Sequence, residues 1–189
     1  IPIGASMILA VLQARTSSSR LPGKVLAPIA GRPMLLQQIE RVRRAKLLDE
    51  LVVATSDRPE DDAIVELCRE NGVHCARGSL DDVLDRFVTA ARPFSPDWVV
   101  RLTGDCPLAD PAVIDAVIDF AVSGDFDYAA NAVEPTYPDG LDVEVARMTA
   151  LETAWREAEL LSEREHVTPF LHKQPDRFRV GHFRSEPDP

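Results

Sequence analysis

Arg15, Arg20 and Lys24 crowd three cations into one short stretch of an otherwise acidic chain, Gln13-Ala-Arg-Thr-Ser-Ser-Ser-Arg-Leu-Pro-Gly-Lys24. Ser17, Ser18 and Ser19 add hydroxyl donors, and Gly23 permits positive φ and close backbone approach. This composition suits a polyphosphate: guanidinium forks grip oxygens in pairs, and a lysine acts as a point charge. The segment is not G-x-x-x-x-G-K-[ST], which excludes a Walker-type loop. It is not G-x-G-x-x-G, which argues against a dinucleotide-binding turn. The residues alone also allow a solvated loop whose cations pair with nearby carboxylates.

The acids come later. Asp105, in Thr103-Gly-Asp-Cys-Pro-Leu108, follows an apolar run. A carboxylate there can hold Mg²⁺, with Mn²⁺ as substitute, which keeps several waters and bridges phosphate oxygens. It can equally be a turn or capping aspartate. Cys106 reads as packing rather than nucleophile, with Arg101 the neighbour able to activate it. Pro138-Asp-Gly-Leu-Asp-Val-Glu144 alternates acid and apolar residues. In a strand, Asp142 and Glu144 share one face, which lines a substrate pocket, supplies a second metal ligand or is simply solvated. Arg77, Gly78 and Ser79 close a strand and lead into a helix, where Ser79 is either N-cap or ligand contact. Asp82, Asp85 and Arg86 read as capping and decoration of that helix. His166, beside Glu165, is a general base, a ligand contact or a cap. No Cys/His set has zinc spacing.

These groups must be positioned by a fold. The chain has 189 residues, a net charge of −10 and 45% hydrophobic residues, enough for one domain over residues 7–189. Ile1–Ser6 read as additions before a native Met7, without the features of a secretory signal. No apolar run of about 18 residues is present to span a membrane. The acidic balance disfavours nucleic acid as partner. Three cysteines without a C-x-x-C pair point to a reducing, cytoplasmic setting.

Met7–Leu12 is a continuous apolar run, as a strand buried on both faces requires. Further strands are expected at Leu51–Ala54, Val73–Ala76, Trp98–Leu102, Tyr128–Asn131, Leu141–Ala146 and Phe178–Phe183. Helical spacing places Leu35, Ile39 and Val42 inward, with Pro33 in the first turn. Pro59 to Asp62 open a second helix with Ala63, Ile64, Leu67 and Cys68 inward. Ser79 and Asp82 form a capping box before Val83, Leu84, Phe87 and Val88. Pro111 starts a helix, and Thr149–Glu159 and Arg164–Lys173 are two more. Strands alternating with helices predict a three-layer α/β/α, Rossmann-like domain with a mixed, mainly parallel sheet, and a site at the strands' carboxyl ends.

R-x-x-S-x-R-L-P-G-K after the first strand resembles the signature of the sugar nucleotidyltransferase superfamily. Within it the chain looks most like cytidylyltransferases of the acylneuraminate and 3-deoxy-manno-octulosonate type, closest to the spore-coat polysaccharide biosynthesis protein F-like branch. Arg77–Phe87, Arg101–Leu108, Pro138–Glu144 and Glu165–Phe170 carry that likeness. The resemblance implies a nucleotide-diphospho-sugar transferase fold and transfer of CMP from CTP to an acidic sugar, with release of pyrophosphate, in a homodimer. It implies that Arg15, Arg20, Lys24 and Asp105 are catalytic, with Mg²⁺ on Asp105 and, more weakly, Asp142. It places the nucleotide on Gln13, Ala14, Arg15, Ser19, Arg20 and Lys24, on Arg77, Gly78 and Ser79, and on Arg101, Thr103 and Gly104. Asp139, Asp142, Glu144 and His166 then face the acceptor sugar. Another nucleotide with a neutral sugar or a cofactor acceptor, or a nucleotide-binding module without catalysis, are the alternatives. Related enzymes carry a late Asp-x-Pro-Glu-Asp segment whose first aspartate is a second metal ligand. Ser185-Glu-Pro-Asp-Pro189 departs from it, so either the native chain is longer or Asp142 or Glu144 compensates.

Overall fold

A computed structural model describes residues 6–18 and 21–185. The chain runs β1 (Ile8–Gln13), β2 (Pro28–Ile29), β3 (Arg32–Pro33), α1 (Met34–Val42), β4 (Glu50–Ser56), α2 (Asp62–Glu70), β5 (His74–Gly78) and α3 (Val83–Ala91). It continues β6 (Trp98–Thr103), α4 (Pro111–Ser123), β7 (Tyr128–Ala130), β8 (Glu144–Arg147), α5 (Met148–Glu157), α6 (Leu161–His166), α7 (Pro169–His172) and β9 (Val180–His182).

One sheet has the order β5-β4-β1-β6-β8-β7-β9. β5, β4, β1 and β6 are parallel neighbours, β8 is antiparallel to β6 and β7, and β9 is parallel to β7. β1 is central, so both its faces are covered. Ile8, Ala10 and Leu12 join a core with α1, α2 and α4. Leu9 and Val11 join the opposite core with α3, α5 and α7. That two-sided burial is why its sequence is a run of apolar residues rather than an alternation. The expected three-layer, mainly parallel architecture is the one observed.

Local details differ from the sequence reading. Ser79 is not the helix cap: Asp82 caps α3 by accepting from the Asp85 N–H, while Ser79 Oγ accepts from the Asp82 N–H at 3.0 Å. Pro33 ends β3 and caps α1 instead of entering it. Ala63 is exposed and Leu67 half-buried, because a 3₁₀ turn at Pro59–Asp61 rotates the start of α2. The helix expected over Arg164–Lys173 breaks at Val167, whose φ of 71° interrupts α6 and α7. The hairpin β2–β3 escaped detection; Ala30 and Gly31 both have positive φ, the geometry of a two-residue type I′ turn. Asp142 lies before β8 rather than inside it.

Candidate active site

The loop after β1 and the loop after β6 leave adjacent parallel strands in the same direction. Gly104 draws them together: its N–H donates to the Gln13 carbonyl at 2.7 Å, and a Cβ there would lie 2.9 Å from both that oxygen and the Ala14 Cβ. Glycine is therefore required by close approach. Gly23, with φ of 71°, turns the first loop before a 3₁₀ turn that carries Lys24. Lys24 Nζ donates to Asp105 Oδ2 at 2.9 Å.

Beneath the first loop, buried Asp61 accepts from the Thr16 N–H (2.7 Å) and Thr16 Oγ1 (2.8 Å), and from the Ser56 hydroxyl. Burial pushes the Asp61 carboxyl up, but these donors outweigh it and hold it below the usual range. Asp61 is thus the anchor of the cationic loop. Its only sequence signal was membership of a helix-opening acidic run.

A cleft of about 800 Å³ results. It is lined by Gln13, Ala14, Arg15 and Lys24 from the end of β1 and the loop after it, by Thr103, Gly104 and Asp105 from the end of β6 and the loop after it, and by Asp139 and Asp142. Burial raises the Asp105 carboxyl, but hydrogen bonds from Lys24 and Thr103 dominate and the net direction is down. Asp142 is raised by burial and then by Glu144 and Asp139. No hydrogen bond to its carboxylate contributes among the described residues. Two carboxylates beside a cationic loop fit Mg²⁺, which takes one or two carboxylates and completes its shell with phosphate oxygens and water.

A second cavity of about 370 Å³ adjoins the first and shares Thr103 and Asp142 with it. Arg101, Glu144, His166 and His172 are among its walls. Glu144 is 8% exposed. It pairs with Arg101 and accepts from Tyr128 Oη (2.5 Å) and Thr168 Oγ1 (2.6 Å). Burial pushes Glu144 up; the Arg101 charge and these hydroxyls outweigh it, for a net shift down. Burial and then Glu144 push the Tyr128 phenol well above its usual range. Glu144 is therefore spent on the wall, and Asp142 is the freer carboxylate.

A third cavity of about 360 Å³ shares Gln13 and Arg15 with the first and has Leu80, Asp81, Arg101 and His166 among its lining residues. His166 thus stands between the second and third cavities. Arg101 Nε donates to Gln13 Oε1 at 3.1 Å, linking β6 to β1.

Not every expected residue converges. Arg77 is turned away: it donates to the Ser56 carbonyl (3.0 Å) and the Arg58 carbonyl (2.7 Å) and pairs with Asp62 at 2.6 Å. A strand's alternating side chains send it to that side of β5. Gly78 and Ser79 line none of these three cavities, and the Ser79 carbonyl accepts from Arg86 at 2.7 Å. Ser19 and Arg20, and the Glu186–Pro189 tail, lie outside the described residues. Arg101 is engaged with Glu144 and Gln13, so it does not activate Cys106. That thiol is pushed up by burial, Asp105 and Asp142.

The family profile described as cytidylyltransferase matches residues 9–188. The chain belongs to the cytidylyltransferase family. It is 43% identical over 175 residues to an uncharacterized protein of Methanocaldococcus jannaschii, covering 92% of this chain and 70% of the relative. It is 37% identical over 192 residues to the spore coat polysaccharide biosynthesis protein SpsF of Bacillus subtilis, covering 94% and 79%. It is 41% identical over 113 residues to the 3-deoxy-manno-octulosonate cytidylyltransferase of Geobacter sulfurreducens, covering 59% of this chain and 44% of that enzyme. A solved cytidylyltransferase from Leptospira borgpetersenii matches with a TM-score of 0.91 and 32% identity, over 97% of this chain and 78% of that one. No helix among the described residues is long and apolar enough to cross a membrane.

Proposed function

We propose that this chain transfers CMP from CTP to an acidic sugar of the nonulosonic or octulosonic type and releases pyrophosphate. The observation that carries this reading is the meeting of Lys24 and Asp105 across a cleft that Arg15 also lines. The triphosphate occupies that cleft, the nucleoside the third cavity and the acceptor the second. Arg15 spans the first and third cavities, and Thr103 and Asp142 span the first and second, so the α-phosphorus falls at their junction.

The acceptor hydroxyl forms a bond to the α-phosphorus as the bond to pyrophosphate breaks. The chain's part is positioning and charge stabilisation. Arg15 and Lys24, with Arg20 from the same signature, neutralise charge gathering on the leaving group. Asp105 and Asp142 would hold Mg²⁺, which supplies Lewis-acid stabilisation to phosphate oxygens. His166, which lines both the acceptor and the nucleoside cavity, is assigned the hydroxyl proton in this reading. The octulosonate-specific relative supports an acidic acceptor.

One observation favours a second reading, a neutral sugar: Arg101, the arginine on the acceptor cavity, is already neutralised by Glu144. A pyrophosphate-release assay with CTP, Mg²⁺ and a panel of nonulosonic, octulosonic and neutral sugars decides between them. Release only with acids supports the first reading and release only with neutral sugars the second. A CTP-induced rise in melting temperature with no release for any acceptor indicates a binding module and overturns both.

A further inference from the structure

Val167 holds a backbone conformation that valine rarely adopts, and the chemistry above leaves it unused. Its φ is 71° and its ψ −55°. Around it, the Thr168 N–H donates to the His166 carbonyl at 2.8 Å. A bond of that span with those angles is the γ-turn of positive φ, the rare and strained form. A β-branched residue is poorly suited to it, because positive φ crowds Cβ against the backbone. Strain of this kind persists only where the surroundings over-determine it, and it gathers at functional sites. Val167 is 0% exposed and belongs to the core formed with α3, α5 and α7. Burial of its branched side chain opposes the strain and holds the turn.

The residues on either side show what the turn achieves. His166 precedes it, and Thr168, Pro169 and His172 follow; all four line the second cavity. A single helix over Arg164–Lys173, as the sequence suggests, advances about 100° per residue. His166 and Thr168 would then point about 200° apart and could not share a wall. With the turn in place they do. Upstream, the Val167 N–H donates to the Glu163 carbonyl at 3.1 Å and closes α6. Arg164 pins α6 in place by donating to Asp82 at 2.6 Å and to the Trp155 carbonyl at 2.7 Å. Downstream, Thr168 Oγ1 donates to Glu144 at 2.6 Å. Val167 is the joint between these two fixed segments.

We propose that Val167 is a positioning residue: its buried side chain locks the turn that sets His166 on the same cavity as Thr168 and Glu144. This rests on the reading of His166 as the group that takes the acceptor proton, and deepens it. A small misplacement of such a group carries a large loss of rate, up to about 10²-fold for about 1 Å. Alanine lacks the core anchor and disfavours positive φ. Glycine adopts positive φ about as readily as negative φ, so it permits the turn without imposing it.

The test measures pyrophosphate release with CTP, Mg²⁺ and whichever sugar of the panel gives the highest rate. In Val167→Ala, kcat falls by about 10-fold or more while KM for CTP changes less than about 3-fold. In the His166→Ala background the same substitution lowers kcat less than about 3-fold, because the group it positions is gone. Val167→Ile, which keeps a branched side chain in the core, recovers most of what alanine loses. Val167→Gly serves if the alanine variant misfolds, and shows the same split and the same coupling to His166. On the wild-type chain, a strong Overhauser effect between the Val167 amide proton and its own Hα reports the positive φ. Negative φ at Val167, wild-type kcat in folded Val167→Ala or Val167→Gly, or a loss that multiplies undiminished with that of His166→Ala overturns the positioning role and leaves cytidylyl transfer standing. Wild-type kcat in His166→Ala removes His166 from the chemistry and this proposal with it. A wild-type chain that releases no pyrophosphate with any acceptor removes the transfer reading itself, and the proposal falls with that reading.

Discussion

Lys24 Nζ lies 2.9 Å from Asp105 Oδ2 although 81 residues separate them in the chain. The contact exists because β1 and β6 are parallel neighbours, with Gln13 opposite Thr103 in register. Each loop therefore begins at the same level of the sheet, and cation and carboxylate face one cleft.

That pair adds little to the stability of the fold. Its side chains are 31% and 45% exposed, and an ion pair in such surroundings contributes about 0–1 kcal/mol. Lys24→Met and Asp105→Asn should each lower pyrophosphate release by about 10²–10³-fold. Both should melt within about 4 °C of wild type. A large loss of stability with normal turnover in either variant would reverse this assignment.

Gly104→Ala tests the approach of the two loops. The added methyl meets the Gln13 carbonyl at the end of β1 and the Cβ of buried Ala14 just after it, each at 2.9 Å. Overpacking of this kind costs about 1–3 kcal/mol. We expect a lower urea midpoint together with weaker CTP binding, since moving the loops apart also moves Asp105 from Lys24. An unchanged midpoint would mean that the loops yield freely.

Asp61 ties the cationic loop to β4, and its effect depends on pH. Its carboxyl is held down in the folded state because the bonds from Thr16 and Ser56 outweigh burial. A depressed folded-state value contributes stability above the unfolded aspartate value of about 3.9, and that contribution is lost as pH falls through the folded value. Melting temperatures followed from pH 7 down through that window should show a steeper acid limb in wild type than in Asp61→Asn. Parallel acid limbs would remove Asp61 as a contributor.

Asp142→Asn separates binding from stability. Asp142 is pushed up by burial and by the like charges of Glu144 and Asp139. Removing its charge should raise the melting temperature in EDTA. The same change should weaken Mg²⁺-dependent CTP binding by calorimetry if Asp142 is the second carboxylate on the metal. A variant that is destabilised in EDTA, or that binds CTP and Mg²⁺ as wild type does, would exclude Asp142 from that role.

The alternation of apolar runs with helical spacing made the sheet and its helices legible in advance, because strands buried on both faces and helices packed on one leave different periods. The hairpin at Ala30-Gly31 left no such trace, since two-residue strands are too short to show a period. Arg86 was misread for a related reason. Its place on α3 is visible in sequence, but its burial depends on Gly78, eight positions earlier and brought over it by the turn of the chain.

The amino-acid order alone determined the layer architecture, the clustering of cations after the first strand and the candidacy of Asp105, because each depends on neighbours close along the chain. Tertiary structure decided which charges remain available. Glu144 is consumed by Arg101, Tyr128 and Thr168; Arg77 is drawn to Asp62; Asp142 is left facing the cleft. The physical reason is that a side chain's chemistry depends on its burial and its partners. Those partners come from distant segments whose approach only the folded sheet specifies.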